Sequence, residues 1–243
     1  MIVLDARVGR DPRQAGDTVK VAVLGTGMVG QAIAGRLAEL GHDVTVGTRN
    51  VETSLARVDA ERGPAFGSWV VAHPEVGVAH FEEAASGAEL VVNATSGQVS
   101  IDALRQVGTA ALAGKVLMDL SNPLDFSRGF TPTLFVKDTD SLGEQIQAAF
   151  PETRVVKTLN TLTAELMVRP AQLGEVHSVF VGGNDAAAKD LVADLLHSMG
   201  HTDVIDLGDI TSSRGAEMFL PLWLRMMQSL GTGMFNVKVV RES

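Results

Sequence analysis

Hydrophobic and polar positions follow two rhythms along this chain. Short, nearly unbroken apolar runs fall at residues 19–25, 44–47, 76–80, 89–94, 115–120, 153–159 and 177–181, with a briefer extended stretch at 202–205. Runs of this length, rich in β-branched residues, predict strands covered on both faces, as in a parallel sheet. Between them, apolar residues return at helical spacing. Val29, Ile33, Leu37 and Leu40 mark a helix that stops at Gly41. Further helical segments are expected over 51–61, 81–87, 101–107, 141–150, 161–168 and 186–199, with Asp138 or Asp140 opening the one at 141–150. Residues 62–75 hold Gly63, Pro64, Gly67 and Pro74 and are expected to be mostly loop, with a helical turn at 66–72. Strand–helix alternation at this short spacing predicts an α/β fold built on a doubly wound parallel sheet.

Neither an internal repeat nor a linker separates independent domains. The expected organisation is a loose polar extension over 1–18, a nucleotide-binding domain over 19–160, and a C-terminal capping and dimerisation part over 161–243 packed on the same sheet. Phe219, Leu220, Leu222, Trp223, Met226, Met227 and Leu230 make 219–230 apolar over most of a helix surface. Such a helix is expected to be buried, in the core, in a dimer interface or beside a ligand.

The first strand runs into Gly25-Thr26-Gly27-Met28-Val29-Gly30, a G-x-G-x-x-G turn that opens the first helix. That context suits the pyrophosphate of a dinucleotide in a Rossmann-type fold. The first glycine permits the turn, the second admits the anion, and the third lets helix pack on strand. The helix N-terminus offers backbone N–H groups and a partial positive charge. The second strand then decides which dinucleotide. An NAD site would present a carboxylate at its end, but this chain has Gly47-Thr48-Arg49-Asn50. Thr48 offers a hydroxyl and Arg49 a planar cation suited to a 2′-phosphate, which predicts NADP(H).

Three later strand ends carry small or amide residues: Asn93-Ala94-Thr95-Ser96-Gly97, Leu120-Ser121-Asn122-Pro123 and Lys157-Thr158-Leu159-Asn160-Thr161. Ligands of open parallel sheets bind at such carboxyl ends. Ala94, Thr95, Ser96, Asn122, Pro123 and Asn160 are therefore expected at the nicotinamide end of the cofactor. Either asparagine could equally stabilise its own turn. Lys157 is a weak candidate for a proton donor or substrate cation, and an outward-pointing lysine is as good a reading; no other catalytic residue stands out. A hydride transfer between two redox cofactors can proceed by positioning alone.

Composition narrows the classes. Among 243 residues there is no cysteine and no tyrosine, and the net charge is −9. The first excludes disulfides, thiolate nucleophiles and Cys-ligated metals. The second excludes Tyr-x-x-x-Lys chemistry. The charge argues against nucleic acid or an anionic membrane as partner. No apolar run approaches the roughly 20 residues of a membrane span, and the N-terminus does not resemble a signal peptide. The six histidines show no metal-ligand spacing, so no metal is expected. A cytoplasmic setting fits these features.

The ordered set Val21–Gly30, Gly47-Thr48-Arg49, Val91-Val92-Asn93-Ala94, Asp119-Leu120-Ser121-Asn122-Pro123, Val155-Val156-Lys157-Thr158-Leu159-Asn160-Thr161 and Phe180-Val181-Gly182-Gly183-Asn184 resembles the coenzyme F420-dependent NADP reductases. Arg214-Gly215-Ala216-Glu217 with Leu220-Pro221-Leu222-Trp223 is also similar to the end of the related cytosolic domain of six-transmembrane ferric reductases. The resemblance implies a homodimer, NADPH on Gly25–Val29, Thr48 and Arg49, and direct hydride transfer to a deazaflavin, coenzyme F420. A flavin, quinone, ferric chelate or carbonyl acceptor is the alternative. A non-catalytic NADPH-sensing domain is the reading from another class. β-Hydroxyacid dehydrogenases, which use a lysine acid, need a helical domain larger than this chain can hold.

Overall fold

The computed structural model describes residues 18–57 and 65–242. In chain order the elements are β1 (Lys20–Leu24), α1 (Met28–Glu39), β2 (Asp43–Thr48), α2 (Val51–Leu55), α3 (Phe66–Ala72), β3 (Gly77–His80), α4 (Phe81–Ser86), β4 (Leu90–Asn93), α5 (Gly97–Val107), α6 (Thr109–Leu112), β5 (Val116–Asp119), β6 (Leu124–Asp125), β7 (Thr133–Leu134), α7 (Leu142–Ala149), β8 (Arg154–Thr158), α8 (Ala164–Val168), β9 (Ser178–Gly183), α9 (Ala186–Met199), β10 (Asp203–Asp206), α10 (Ser213–Met218) and α11 (Leu220–Leu230). The expected N-terminal extension falls on residues 1–17, outside the described residues apart from Thr18, and so does part of the helix expected over 51–61, whose described helical turn is α2.

One sheet has the order β3-β2-β1-β4-β5-β8-β9-β10. β1 pairs in parallel with both β2 and β4, so strand order reverses there. A crevice opens at such a reversal, outside the carboxyl ends of the strands. The unbroken apolar runs have a direct cause. Successive strand residues point to opposite faces, and both faces are covered: Val21 and Val23 join one core with Ile33 and Leu37 of α1, while Ala22 and Leu24 join a second with Phe81 and Leu104. Leu90, Val92, Val116 and Met118 lie in the first core, and Val91 and Leu117 in the second. Fully burying each large side chain contributes about 1.5–3 kcal/mol.

Four expectations are revised. The sheet is not parallel throughout, because β9 runs antiparallel to β8, with Val156 opposite Gly183 and Thr158 opposite Val181. β10 pairs in parallel with β9, continuing the sheet in the reversed sense. The β8–β9 connection holds only the five-residue α8 and one 3-10 turn, Pro170–Leu173, too little helix to return the chain to the opposite edge. α5 begins four residues early, at Gly97, because a glycine there lets the helix end lie against the segment that follows β5: a Cβ would stand 2.0 Å from the Asn122 carbonyl oxygen.

The cap of α7 is Ser141, not Asp138 or Asp140. Its Oγ accepts from the Glu144 N–H at 3.1 Å and donates to Glu144 Oε2 at 2.7 Å, while its own N–H donates to Asp140 Oδ1. Finally, α11 is not packed into the core of the single chain. Leu220 and Leu224 are buried and Trp223, Met226 and Met227 half-buried, while Leu222 and Leu230 are 56% and 59% exposed. The helix lies on the surface of the single chain and is steadied by Trp223 stacking on Phe235, with ring centroids 5.4 Å apart.

Candidate functional site

The glycine turn stands at the reversal, and its three glycines do different work. Gly25 has φ +121°, and a Cβ on it would lie 2.7 Å from the Ala94 carbonyl oxygen. A Cβ on Gly30 would lie 2.0 Å from the Gly25 carbonyl oxygen. The fold itself therefore requires both. Gly27 has ordinary extended backbone, φ −78° and ψ −178°, and a Cβ there would meet nothing within 4 Å. Nothing among the described residues requires that glycine, and the surface it leaves bare is backbone at the N-terminus of α1. Among the described residues no side chain caps that end, and its first turn holds no acidic residue. Gln31 Nε2 donates to the Thr26 carbonyl at 3.0 Å and braces the turn, while Met28 is 46% exposed.

At the end of β2 the two predicted residues part company. Thr48 is buried, with its Oγ1 2.7 Å from Ser54 Oγ. Arg49 is exposed, and among the described residues its guanidinium makes no ion pair. The Arg49 carbonyl lies 3.2 Å from His80 Nδ1, and strand register sets His80 opposite Thr48. Sequence reasoning missed His80, since only the pairing of β2 with β3 brings it to Arg49.

Between the first turn and the ends of β4 and β5 lies a cleft of about 180 Å³, lined by Val29, Ala94, Thr95, Ser96, Asn122 and Phe126 among others. Ala94, Thr95, Ser96 and Asn122 were expected from strand ends, and Val29 from the glycine turn. Ser121, Leu124 and Phe126 were not; the last two arrive with the β6–β7 hairpin, which carries no motif. A larger cavity of about 570 Å³ sits beneath α9, beside Val19, Val21 and Leu90 at the amino ends of β1 and β4. It lies at the end of the sheet opposite to the one where ligands of this architecture bind.

Asn122 and Asn160 meet, although 38 residues apart. Asn122 Nδ2 donates to the Asn160 carbonyl at 2.9 Å, and Asn160 Nδ2 donates to Asn122 Oδ1 at 3.0 Å and to the Ala216 carbonyl at 3.0 Å. Asn160 is buried beneath the cleft as a latch between β8 and α10, and Asn122 alone reaches its wall. Pro123 is buried too, its carbonyl accepting from the Phe135 N–H at 2.9 Å.

Lys157 is 2% exposed. Its ammonium donates to the Ser121 carbonyl at 2.8 Å and pairs with Asp119 Oδ2 at 2.7 Å and Glu217 Oε1 at 2.8 Å. Glu217 also accepts from the N–H groups of Leu142 and Gly143 at the start of α7. Burial alone would lower the pKa of this lysine, but attraction to Asp119 and Glu217 outweighs it and holds the pKa above its ordinary range. The Ser121 carbonyl and the two carboxylates surround the ammonium, and Lys157 does not line the cleft. This geometry makes Lys157 a structural cation and leaves it unable to serve as the proton donor that its strand-end position suggested.

The family model described as NADP oxidoreductase coenzyme F420-dependent matches residues 20–123. A crystal structure from Arthrobacter sp. FB24, assigned as an F420-dependent NADP-reductase, is 59% identical with a TM-score of 0.88, covering 92% of this chain and 100% of that one. The F420-dependent NADP reductase of Methanothermobacter marburgensis is 28% identical over 86% of this chain and 92% of its own length. The metalloreductase STEAP3 of Rattus norvegicus is 29% identical over 95% of this chain, which spans only 42% of that relative.

Proposed function

The chain belongs to the F420-dependent NADP reductase family, and on that footing we propose that it transfers hydride between NADP(H) and the deazaflavin coenzyme F420 in the cytoplasm. The observation that carries the reading is Gly27, a glycine that no described residue requires, at the N-terminus of a helix that no described side chain caps. The backbone N–H groups from Gly27 onward hold the pyrophosphate, and the helix end favours its charge. Arg49, free of internal ion pairs among the described residues, takes the 2′-phosphate. The Thr48–Ser54 pair shares one hydrogen bond, which leaves one hydroxyl proton to donate beside it.

NADPH supplies the hydride and the flat deazaflavin accepts it. The protein's part is to place the nicotinamide between Val29, Ala94 and Asn122 and to exclude water with Leu120, Leu124 and Phe126. No side chain in the cleft has to move a proton. The exposed apolar face of α11 forms the homodimer contact.

Steady-state NADPH oxidation against the deazaflavin, FMN, ferric chelates and quinones tests the assignment. Turnover fastest with the deazaflavin supports it. A ferric chelate as the preferred acceptor is the second reading, favoured by the likeness to the metalloreductase. NADPH binding without turnover on any acceptor would make the chain a sensor.

A further inference from the structure

Two hydroxyl groups on the cleft wall have their protons committed inward. Thr95 Oγ1 donates to Asn93 Oδ1 at 2.7 Å, and Ser121 Oγ donates to Asp119 Oδ1 at 2.7 Å. Both residues line the cleft. Chemistry forces the direction of each bond. Asp119 faces the Lys157 ammonium as a carboxylate, and a carboxylate only accepts. Its Oδ1 therefore takes a proton from Ser121 Oγ and another from Asn93 Nδ2 at 2.8 Å.

That second bond orients the Asn93 amide. Its Nδ2 faces Asp119 and, at 2.5 Å, Ser100 Oγ. Its Oδ1 is left to accept from the Thr95 N–H at 3.3 Å and from the Thr95 hydroxyl. A flipped amide would set its NH₂ group against the Thr95 N–H and its carbonyl against a carboxylate. Asn93 and Asp119 are both fully buried, so no water relaxes the arrangement. The buried charge of Lys157 is thereby relayed, through Asp119 and Asn93, to a wall that offers lone pairs and no hydroxyl protons at Thr95 and Ser121.

We infer that Thr95 and Ser121 select the amino group of the nicotinamide carboxamide and reject the carboxylate of the corresponding nicotinic acid dinucleotide. The inference rests on the reading that the nicotinamide of NADP enters this cleft. A carboxamide NH₂ completes the acceptors on the wall. A carboxylate oxygen in its place would confront them with no proton between. Lys157 then acts as a positioning residue, reaching Thr95 through Asp119 and Asn93, and Ser121 through Asp119 and its own bond to the Ser121 carbonyl.

Isothermal titration of the whole chain with NADP⁺, its nicotinic acid analogue and 2′,5′-ADP tests this. The wild type is expected to bind NADP⁺ about tenfold or more tightly than the analogue. Thr95→Val is expected to bring that ratio towards one, and Thr95→Ser, which keeps the hydroxyl, to retain it. The 2′,5′-ADP probe carries no nicotinamide, and its unchanged affinity in all three proteins shows that the fold and the adenosine end are intact. Equal affinity of the wild type for NADP⁺ and the analogue, or a ratio unmoved by Thr95→Val, overturns the inference. Failure of the wild type to bind 2′,5′-ADP and NADP⁺ alike overturns the dinucleotide site itself, and is a different result.

Discussion

Lys157 Nζ lies 2.7 Å from Asp119 Oδ2, with the two side chains 1% and 0% exposed. They come from neighbouring strands, β8 and β5, at directly paired positions. With Glu217 on the other side of the ammonium, the pair joins the sheet to α10 and to the start of α7. Replacing Lys157 with Met leaves two buried carboxylates without their cation. A loss of about 3–5 kcal/mol is expected, measured by urea denaturation. Because the folded pKa of Lys157 is raised, its contribution is complete below the unfolded value, near 10.4, and is lost only as pH rises through the folded value.

The two kinds of glycine in the turn should separate stability from binding. Gly30→Ala sets a methyl 2.0 Å from the Gly25 carbonyl oxygen, a clash that forces α1 off β1, and several degrees of melting temperature should be lost. Gly27→Ala meets nothing within 4 Å, and its backbone is acceptable to any residue. Its melting temperature should stay within a degree or two of wild type, while NADPH affinity falls by tenfold or more, on the order of 1.4 kcal/mol. Equal NADPH binding by Gly27→Ala would remove the pyrophosphate from this turn.

Arg49→Ala should weaken NADPH binding by roughly 10- to 100-fold, the worth of a charge-assisted contact of about 1.5–3 kcal/mol. NADH, lacking the 2′-phosphate, should bind mutant and wild type equally. Fluorescence titration with both nucleotides reads the difference, and parallel losses would place Arg49 elsewhere in the site.

His201 is buried with its Nε2 2.9 Å from the Met167 carbonyl. Burial, aided by the nearby His177 and His197, pushes its pKa down to about 4. The unfolded imidazole titrates near 6.5, so between these values the unfolded chain binds the extra proton. Stability is therefore full above pH 6.5 and falls as the pH drops towards 4, by about 2 kcal/mol at pH 5 from this group. His201→Gln keeps an N–H for Met167 and should flatten the slope between pH 7 and 5 in denaturant titrations.

Leu222 and Leu230 expose apolar surface on α11. If that face joins two copies, the wild type sediments as a dimer and Leu222→Glu with Leu230→Glu sediments as a monomer with its far-ultraviolet circular dichroism preserved. A wild-type monomer at micromolar concentration would rule the contact out.

What the sequence determined by itself was local. The strand–turn–helix from Lys20 to Glu39 was legible because apolar periodicity and glycine placement act within a dozen residues. The same holds for α9 and for Arg49 after β2. The residues of the cleft wall at Ala94–Ser96 and Asn122 were legible too, because every parallel strand delivers its carboxyl end to one rim.

What only the tertiary structure decided was partnership across the chain. Asn122 and Asn160 each looked able to bind a ligand, yet each satisfies the other over 38 positions. Lys157 looked like a cation at a strand end, and became a buried counter-ion once Glu217 arrived from 60 residues away. The reversed sense of β9 depended on how little of the β8–β9 connection folds as helix, and the exposure of α11 on what the rest of one chain left uncovered. Hydrophobic pattern records that a residue prefers burial or water. It does not record which distant donor will meet which acceptor, because that pairing is set by packing of the whole sheet rather than by any neighbour in sequence.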